Sequence, residues 1–358
     1  MDAQIPATER QRLLANPGFG RVFTEHIVRA RWTAAGGWTD LELTAYAPLV
    51  LDPGTAVLHY SQAVFEGLKA FRQVDGGVAA FRPAAHAARF RRSARRLALP
   101  ELPEPVFLEA IDMLLEADHE WVPTAADHSL YLRPLMYAAD VTLLVHPAAE
   151  VEFLLIASPS GPYFPRGVKP VTVWLSEEFS RAAPGGTGAA KTGGNYAGGL
   201  LAQAQAAEHG CEQVVWLDAY EHRWVEEMGG MNLFFVFGRD GDARLLTPPL
   251  TGTLLPGVTR DSLLMLGRDL GYATNEGRIS VEEWRAGCAD DSLTEVFACG
   301  TAAVITPVGA VKSEDGSWTV GEGEPGPVSM RLRQALVDIQ RGAAPDPHEW
   351  MYPVRMPK

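Results

Sequence analysis

Cysteine, basic charge and long apolar runs are all scarce in this chain of 358 residues. Its three cysteines lie far apart in the sequence, which excludes a disulfide framework and a metal-binding spacing and favours a reducing cytoplasm. No run of about 20 apolar residues is present, and the first ten residues lack the apolar core of a secretion signal, so we expect no membrane association. The net charge of −13 argues against a nucleic-acid partner, which requires a basic surface.

The residues that the chain does contain are typical of a globular protein with two domains. Hydrophobic residues make up 47% of the chain and charged residues 21%, which suits a packed core. Three prolines and two glycines fall within residues 160–170 and mark a connector. We therefore predict a small N-terminal α/β domain over residues 1–160, a connector over 161–171 and a larger domain over 172–358.

Local patterns predict strands and helices in both halves. Asp75-Gly76-Gly77 is a strong hairpin signal, and Pro83 is a typical first residue of a helix. Predicted strands cover residues 57–60, 68–71, 78–81, 129–137, 151–158, 171–175, 214–217 and 231–237. Predicted helices cover residues 83–97, 106–120, 196–210, 258–270 and 328–341.

Lys191 lies in a glycine-rich stretch, and the nearest charged residues in the sequence are Arg181 and Glu208. Desolvation lowers the pKa of a lysine and makes its amine a nucleophile. Nucleophilic lysines typically form Schiff bases with carbonyls, and pyridoxal phosphate is the commonest such partner among cofactors. On the local sequence alone, a solvated loop lysine is an equally good interpretation.

Two adjacent glutamates, Glu226 and Glu227, precede a glycine pair and an apolar strand. A carboxylate that enters a buried strand needs a cationic partner, and the protonated ring nitrogen of pyridoxal phosphate is one. Two exposed turn residues are the alternative, which the local sequence by itself favours.

Three further segments have residue types that suit anionic groups. Thr259 follows a glycine at the predicted start of a helix, where backbone N–H groups attract phosphate. Thr301 supplies a hydroxyl among small residues at the end of a strand. Arg133 follows Tyr131 closely, and such an arginine can bind a carboxylate through two hydrogen bonds. Ordinary turns and packing are the alternatives for each segment.

Residues 185–192 also approach the pattern of a phosphate-binding P-loop. The glycine required just before the lysine is Ala190 here, and no apolar strand precedes the segment. The sequence therefore argues against a nucleotide triphosphatase.

Taken in order, these segments resemble the branched-chain amino acid aminotransferases, which are fold-type IV enzymes dependent on pyridoxal phosphate. The resemblance runs from residue 19 to residue 354. It implies a two-domain α+β fold with a β-barrel-like C-terminal domain, and a homodimer with active sites near the interface. The most specific segments are His59-Tyr60-Ser61, Phe65-Glu66-Gly67-Leu68-Lys69-Ala70-Phe71, Lys191-Thr192-Gly193-Gly194-Asn195-Tyr196, Gly210-Cys211-Glu212-Gln213-Val214 and Leu255-Pro256-Gly257-Val258.

The resemblance also implies a reaction, the reversible transamination of leucine, isoleucine and valine with 2-oxoglutarate. Its partners are thus small amino acids and 2-oxo acids. Lys191 is then the catalytic Schiff-base lysine, Tyr196 bonds the ring hydroxyl oxygen, and Glu227 holds the ring nitrogen, with Glu226 dispensable. The implied phosphate contacts are Arg89, Val258, Thr259 and Thr301. The implied substrate contacts are Phe19, Tyr60, Tyr131, Arg133, Tyr163, Gly230 and Ala302, with Leu143 and Val145 from a loop that crosses the dimer interface.

Two departures from the family pattern bear on these expectations. Gly230 stands where some members have threonine, so we expect one contact to the substrate carboxylate to come from backbone alone. Thr301 is not followed by the paired cysteines of some mammalian members, which excludes a thiol switch there. Within the same fold, a D-amino acid aminotransferase or an aminodeoxychorismate lyase remains an alternative. Outside it, the alternatives are a pyridoxal-phosphate-binding protein without turnover and a nucleotide-binding module.

Overall fold

The computed structural model describes residues 5–125, 127–162 and 167–355, which form two compact units. The first unit takes in the described residues up to 162, Ala190–Gly193 and the chain from Asp338 onward. The second takes in residues 167–189 and Gly194–Val337. The domain bounds given above stay a prediction. In the described residues, no helix is both long and apolar enough to cross a membrane.

Strands and helices alternate irregularly along the chain. The strands are β1 His26–Thr33, β2 Gly37–Trp38, β3 Glu42–Ala45, β4 Ala63–Phe65, β5 Leu68–Arg72, β6 Val78–Phe81, β7 Ser129–Ala138, β8 Glu150–Ser160, β9 Val171–Ser176, β10 Gln213–Leu217, β11 Val225–Met228, β12 Met231–Phe237, β13 Arg244–Thr247, β14 Ala273–Glu276, β15 Leu293–Gly300, β16 Val304–Ser313, β17 Gly316–Thr319 and β18 Met351–Pro353. The helices are α1 Ala7–Ala15, α2 Ala56–Tyr60, α3 Pro83–Arg96, α4 Glu104–Ala117, α5 Gly194–Ala197, α6 Leu200–Glu208, α7 Val258–Asp269, α8 Val281–Ala289 and α9 Pro327–Gln340.

The first unit is built on a nine-stranded antiparallel sheet in the order β18-β6-β5-β7-β8-β1-β2, with β3 on β1 and β4 on β7. The apolar faces of α3 and α4 bury Phe90 and Phe107 together with Phe153 of β8. Side chains two apart on a strand share a face of the sheet. Tyr131 and Arg133 therefore emerge on the same side of β7.

The second unit contains a closed barrel. Along the described chain the sheet runs β11-β10-β9-β16-β15-β12, and β12 pairs again with β11 through Glu227 opposite Asn232 and Met228 opposite Met231. Six strands thus form a ring, and β13, β14 and β17 extend from it. Buried apolar side chains such as Leu233 and Phe235 of β12 form its core. The predicted α+β fold with a barrel in the second half is confirmed.

Most predicted strands and helices are confirmed, with two differences. The prediction of a strand over residues 57–60 is wrong, because the segment is a short helix closed by the Ser61 N–H donating to Val57 O at 3.0 Å. Ser61 ends it in the left-handed region, at φ 52°. The helix predicted over residues 196–210 divides into α5 and α6 at Gly198 and Gly199, where a Cβ on Gly199 would lie 2.9 Å from the Trp216 ring.

Candidate functional site

Hydrogen bonds hold the backbone around Lys191 against α3 and β4 of the same unit. The Lys191 N–H donates to Ser93 Oγ of α3 at 2.9 Å, and its carbonyl accepts from the Phe65 N–H of β4 at 3.0 Å. The adjacent Thr192 hydroxyl donates to Ala63 O at 2.8 Å. The glycine-rich loop therefore places Lys191 against α3 and β4.

The Lys191 amine has an environment that favours its neutral form. Its Nζ lies 4.9 Å from the centroid of the Phe65 ring. Burial lowers the pKa of Lys191 to about 8, and the positive charge of Arg89 acts in the same direction. Glu66 and Tyr131 act in the opposite direction. Burial thus desolvates this lysine, and the neutral fraction of its amine near pH 7 is larger than that of a solvated lysine.

Arg89 belongs to a buried cluster with two residues that the sequence analysis did not assign to the site. Its Nε and Nη2 donate to the two carboxylate oxygens of Glu66, each at 2.7 Å, and His86 Nδ1 lies 2.7 Å from Glu66 Oε2. Burial raises the pKa of Glu66, but the charge and hydrogen bonds of Arg89 outweigh it and hold that pKa well below its usual range. Burial also lowers the pKa of His86. The two-point ion pair fixes the plane of the Arg89 guanidinium.

Three of the predicted substrate residues lie together beside Phe65. Arg133 Nη2 donates to Tyr131 Oη at 3.2 Å, and the Arg133 guanidinium lies 4.9 Å from the Phe65 ring centroid. The Phe19 ring packs edge-on against Tyr131, with centroids 5.0 Å apart. Gly67 permits this arrangement, since a Cβ there would lie only 1.8 Å from Tyr131 Oη. The motif Phe65-Glu66-Gly67 was the sequence signal for this cluster.

Two other predicted residues of the first unit contact each other. Tyr60 Oη donates to Leu143 O at 2.5 Å. Leu143 and Val145 are 66% and 82% exposed. Tyr163 lies outside the described residues, so its predicted role stays a prediction.

In the second unit, Glu227 lies on the seam of the barrel and is only 2% exposed. Its Oε1 accepts from Asn232 Nδ2 and from the Leu255 N–H, both at 2.9 Å. Its Oε2 forms an ion pair with Arg181 Nε at 3.0 Å. The contacts stabilise a buried carboxylate, and they rest on Arg181 and Asn232, which the sequence analysis did not assign.

Glu226 is buried as well, on the strand beside Glu227. It accepts a hydrogen bond from Thr253 Oγ1, and burial raises the pKa of its carboxyl group. The alternative of two exposed turn glutamates is therefore wrong for both residues. Adjacent strand residues point to opposite faces, which gives the two carboxylates different surroundings.

The start of α7 packs against Asn232, whose side-chain amide donates to Glu227. A Cβ on Gly257 would lie 2.0 Å from Asn232 Oδ1, so glycine is needed for this close approach. Val258 and Thr259, the first two residues of α7, are buried. Backbone N–H groups at a helix start attract anions. The roles of Val258 and Thr259 as phosphate contacts stay predictions.

Four other predicted residues of the second unit lie on or beside two neighbouring turns. Gly230 is in the turn between β11 and β12, and Thr301 and Ala302 are in the turn between β15 and β16. Because the start of β12 pairs with the end of β15, these turns are neighbours. The Tyr196 ring lies against the first turn, since a Cβ on Gly230 would be 3.1 Å from Tyr196 Cε1.

Each unit, taken by itself, holds side chains whose chemistry suits a part of pyridoxal phosphate. The first unit supplies an amine with a lowered pKa and a buried arginine, and the second supplies a buried carboxylate and a helix start suited to a phosphate. An aldehyde, a phosphate and a basic ring nitrogen are the groups that such residues bind.

Comparisons with known proteins agree with this chemistry. A family profile described as amino-transferase class IV matches residues 63–311. A branched-chain-amino-acid aminotransferase of Mycolicibacterium smegmatis is 58% identical over 349 residues, covering 97% of this chain and 95% of that protein.

Solved structures give the same result. The Escherichia coli branched-chain amino acid aminotransferase matches with a TM-score of 0.75 and 30% identity, covering 92% of this chain and 99% of that chain. A branched-chain aminotransferase from the thermophilic archaeon Thermoproteus uzoniensis, solved with norvaline, matches with a TM-score of 0.74 and 25% identity, covering 92% and 100%. The chain therefore belongs to the amino-transferase class IV family, and its fold is that of the fold-type IV aminotransferases.

Proposed function

We propose that this enzyme transfers amino groups reversibly between the branched-chain L-amino acids leucine, isoleucine and valine and 2-oxoglutarate, with pyridoxal phosphate as cofactor. The observation that carries the proposal is the 58% identity, over 97% of this chain, to the Mycolicibacterium smegmatis branched-chain-amino-acid aminotransferase. The contacts around Lys191 and Glu227 supply its physical basis.

Lys191 performs the proton transfer in this proposal. Bound pyridoxal phosphate supplies an aldehyde that accepts the amino group and a ring that withdraws electrons from the substrate α-carbon. Lys191 would hold the cofactor through Nζ, and its amine would serve as the general base for the proton on the substrate α-carbon. A pKa of about 8 for Lys191 places the amine close to the range in which it both accepts and returns a proton.

The other cofactor contacts follow from the resemblance to the branched-chain amino acid aminotransferases. Glu227 keeps a proton on the ring nitrogen through its buried carboxylate, and Tyr196 donates to the ring hydroxyl oxygen. Arg89, Val258, Thr259 and Thr301 bind the phosphate. The burial of Arg89 beside Glu66 and the helix start at Val258 support these roles.

One substrate pocket must accept both an aliphatic side chain and the second carboxylate of glutamate. Phe19 and Tyr131, with Phe65 beside them, present apolar rings, and Arg133 presents a guanidinium to a carboxylate. We assign the substrate α-carboxylate to the backbone at Gly230 and Ala302. Tyr60 and Tyr163 complete the proposed pocket.

We also propose a cytoplasmic homodimer. Leu143 and Val145 are strongly exposed apolar residues, and the Tyr60 hydroxyl holds the backbone of their loop. Burial of such residues against a second copy stabilises a dimer. Sedimentation of the wild-type protein and of Val145→Asp tests this, and an unchanged monomeric mass for both would contradict it.

The decisive experiment is a steady-state assay of the holoenzyme with L-leucine, L-isoleucine or L-valine and 2-oxoglutarate. We expect all three to be turned over and D-alanine to be a poor substrate. Lys191→Ala, as the matched control, should bind the cofactor without covalent attachment and lose turnover. Faster reaction with D-alanine, or full activity of Lys191→Ala, would overturn the proposal.

A further inference from the structure

Arg181 connects three segments of the second unit. Its Nε forms the ion pair with Glu227 Oε2 at 3.0 Å, and its Nη1 donates to Thr253 O at 2.9 Å. Its two terminal nitrogens also reach Gly188 O at 3.3–3.4 Å. The side chains of Arg181 and Glu227 are 4% and 2% exposed. One buried guanidinium thus contacts the seam carboxylate, the segment before α7 and the loop that precedes Lys191.

The charge of Arg181 matters because Glu227 is buried. A carboxylate and a protonated ring nitrogen in a low-dielectric site can pass their shared proton to the carboxylate, which leaves two neutral groups. Neutral donors such as Asn232 Nδ2 and the Leu255 N–H oppose this only partly. The guanidinium that is ion-paired with Oε2 stabilises the anionic carboxylate more strongly, so a proton on a bound ring nitrogen would be kept there.

The Arg181 guanidinium also contacts the loop that contains Gly188. Gly188 approaches Thr253 so closely that a Cβ on Gly188 would lie 2.1 Å from Thr253 O. The Arg181 terminal nitrogens donate to the carbonyl oxygens of both Gly188 and Thr253. Arg181 therefore holds the loop three residues before Lys191 in place.

The geometry points to Arg181 as a positioning residue of the reaction, which keeps Glu227 ionised toward the ring nitrogen and orders the loop that leads to Lys191. It touches neither substrate nor cofactor in this role and acts through Glu227. The inference rests on the proposed function, in which Glu227 is the partner of the ring nitrogen.

Two substitutions separate the charge of Arg181 from its hydrogen bonds. Arg181→Gln removes the charge but keeps N–H donors for the backbone carbonyls. Arg181→Lys keeps the charge but loses the planar guanidinium, which donates to several acceptors at once. Each variant is prepared as holoenzyme with pyridoxal phosphate labelled with ¹⁵N in the ring, and the ring-nitrogen chemical shift is measured at neutral pH. In Arg181→Gln we expect the ratio of protonated to unprotonated ring nitrogen to fall about tenfold or more, because an adjacent arginine changes the proton affinity of a carboxylate by at least that factor. Arg181→Lys should keep the ring protonated.

The matched control is Arg72→Gln in the first unit. Arg72 also donates to backbone carbonyls, those of Gly76 and His119, and its loss should leave the ring-nitrogen shift unchanged. A wild-type shift in Arg181→Gln, or equal changes in Arg181→Gln and Arg181→Lys, would overturn the inference about Arg181 alone. A wild-type protein whose bound ring is unprotonated, or which binds no cofactor, would overturn the proposed role of Glu227 instead.

Discussion

The Lys191 amine lies 4.9 Å from the centre of the Phe65 ring, and the Phe65 N–H donates to the Lys191 carbonyl. One residue of β4 therefore contacts both the backbone and the reactive end of the lysine. The ring replaces water on one side of the amine, in agreement with burial as the main cause of the lowered pKa of Lys191.

The first prediction concerns the titration of Lys191 in the cofactor-free protein. Below pH 8 the ammonium form dominates and cannot attack, so modification by an amine-directed reagent should become tenfold slower with each pH unit. The midpoint should fall near the pKa of about 8, against about 10.4 for an exposed lysine. The midpoint is measured by mass spectrometry of the peptide that contains Lys191, after labelling for set times at each pH. A midpoint above pH 10 would show that the amine is fully solvated.

Glu66→Gln should lower that midpoint further. The Glu66 charge raises the pKa of Lys191 and pairs with Arg89, so its removal leaves a buried guanidinium uncompensated. We expect unfolding to require about 3–5 kcal/mol less free energy, as is typical for breaking one side of a buried pair. Denaturant titration gives the stability. Glu101→Gln, which breaks two solvent-accessible ion pairs with Arg91 and Arg95 of α3, should cost much less, since such pairs contribute about 0–1 kcal/mol each.

Gly67→Ala should displace Tyr131. The added Cβ meets Tyr131 Oη at 1.8 Å, and the ring is held in place by Phe19 and Arg133. We expect KM for both leucine and glutamate to rise at least about tenfold, which corresponds to about 1.4 kcal/mol of lost binding. Gly241→Ala is the control, because a Cβ there has open space. Equal kinetics for the two variants would mean that Tyr131 does not shape the pocket.

Arg133→Ala should discriminate between the two classes of substrate. Glutamate offers a second carboxylate to the guanidinium, and leucine does not. Hydrogen bonds to charged groups contribute about 1.5–3 kcal/mol, so kcat/KM for glutamate should fall about 10- to 150-fold more than that for leucine. A uniform loss for the two amino acids would make Arg133 a structural residue only.

Glu227→Gln should reduce kcat far more than Glu226→Gln. Glutamine at position 227 cannot hold a positive ring nitrogen, whereas glutamine at position 226 can still accept from Thr253 Oγ1. We expect a loss of at least about 100-fold for the first, in keeping with the size of electrostatic contributions to catalysis, and a minor effect for the second. Single-turnover absorbance changes with L-valine measure both. Equal losses would show that Glu227 is not the ring partner.

Much of the site follows from short segments of sequence. Lys191 in a charge-free loop, the motif Phe65-Glu66-Gly67 and the glycine before α7 each carry a local physical signal. The partners of these residues carry no such local signal. Glu66 contacts Arg89, and Arg181 contacts Glu227, only after distant elements have packed. Charge pairing across 23 or more positions leaves no periodic pattern in the chain.

The burial of Glu226 and Glu227 shows most clearly what the local sequence cannot predict. Two acidic residues before a glycine pair are typical of an exposed turn, and only the closure of the barrel makes their strand an interior one. A similar limit applies to residues 57–60, which form a short helix that Ser61 ends in a left-handed conformation.

The pairing of β11 with β12, through Glu227 opposite Asn232 and Met228 opposite Met231, closes the ring of six strands. Amides bonded within this ring exchange with solvent only when the bonds around them open, locally or with the whole unit. Deuterium uptake at β11 and β12 thus measures how often the ring opens at the pairing that closes it.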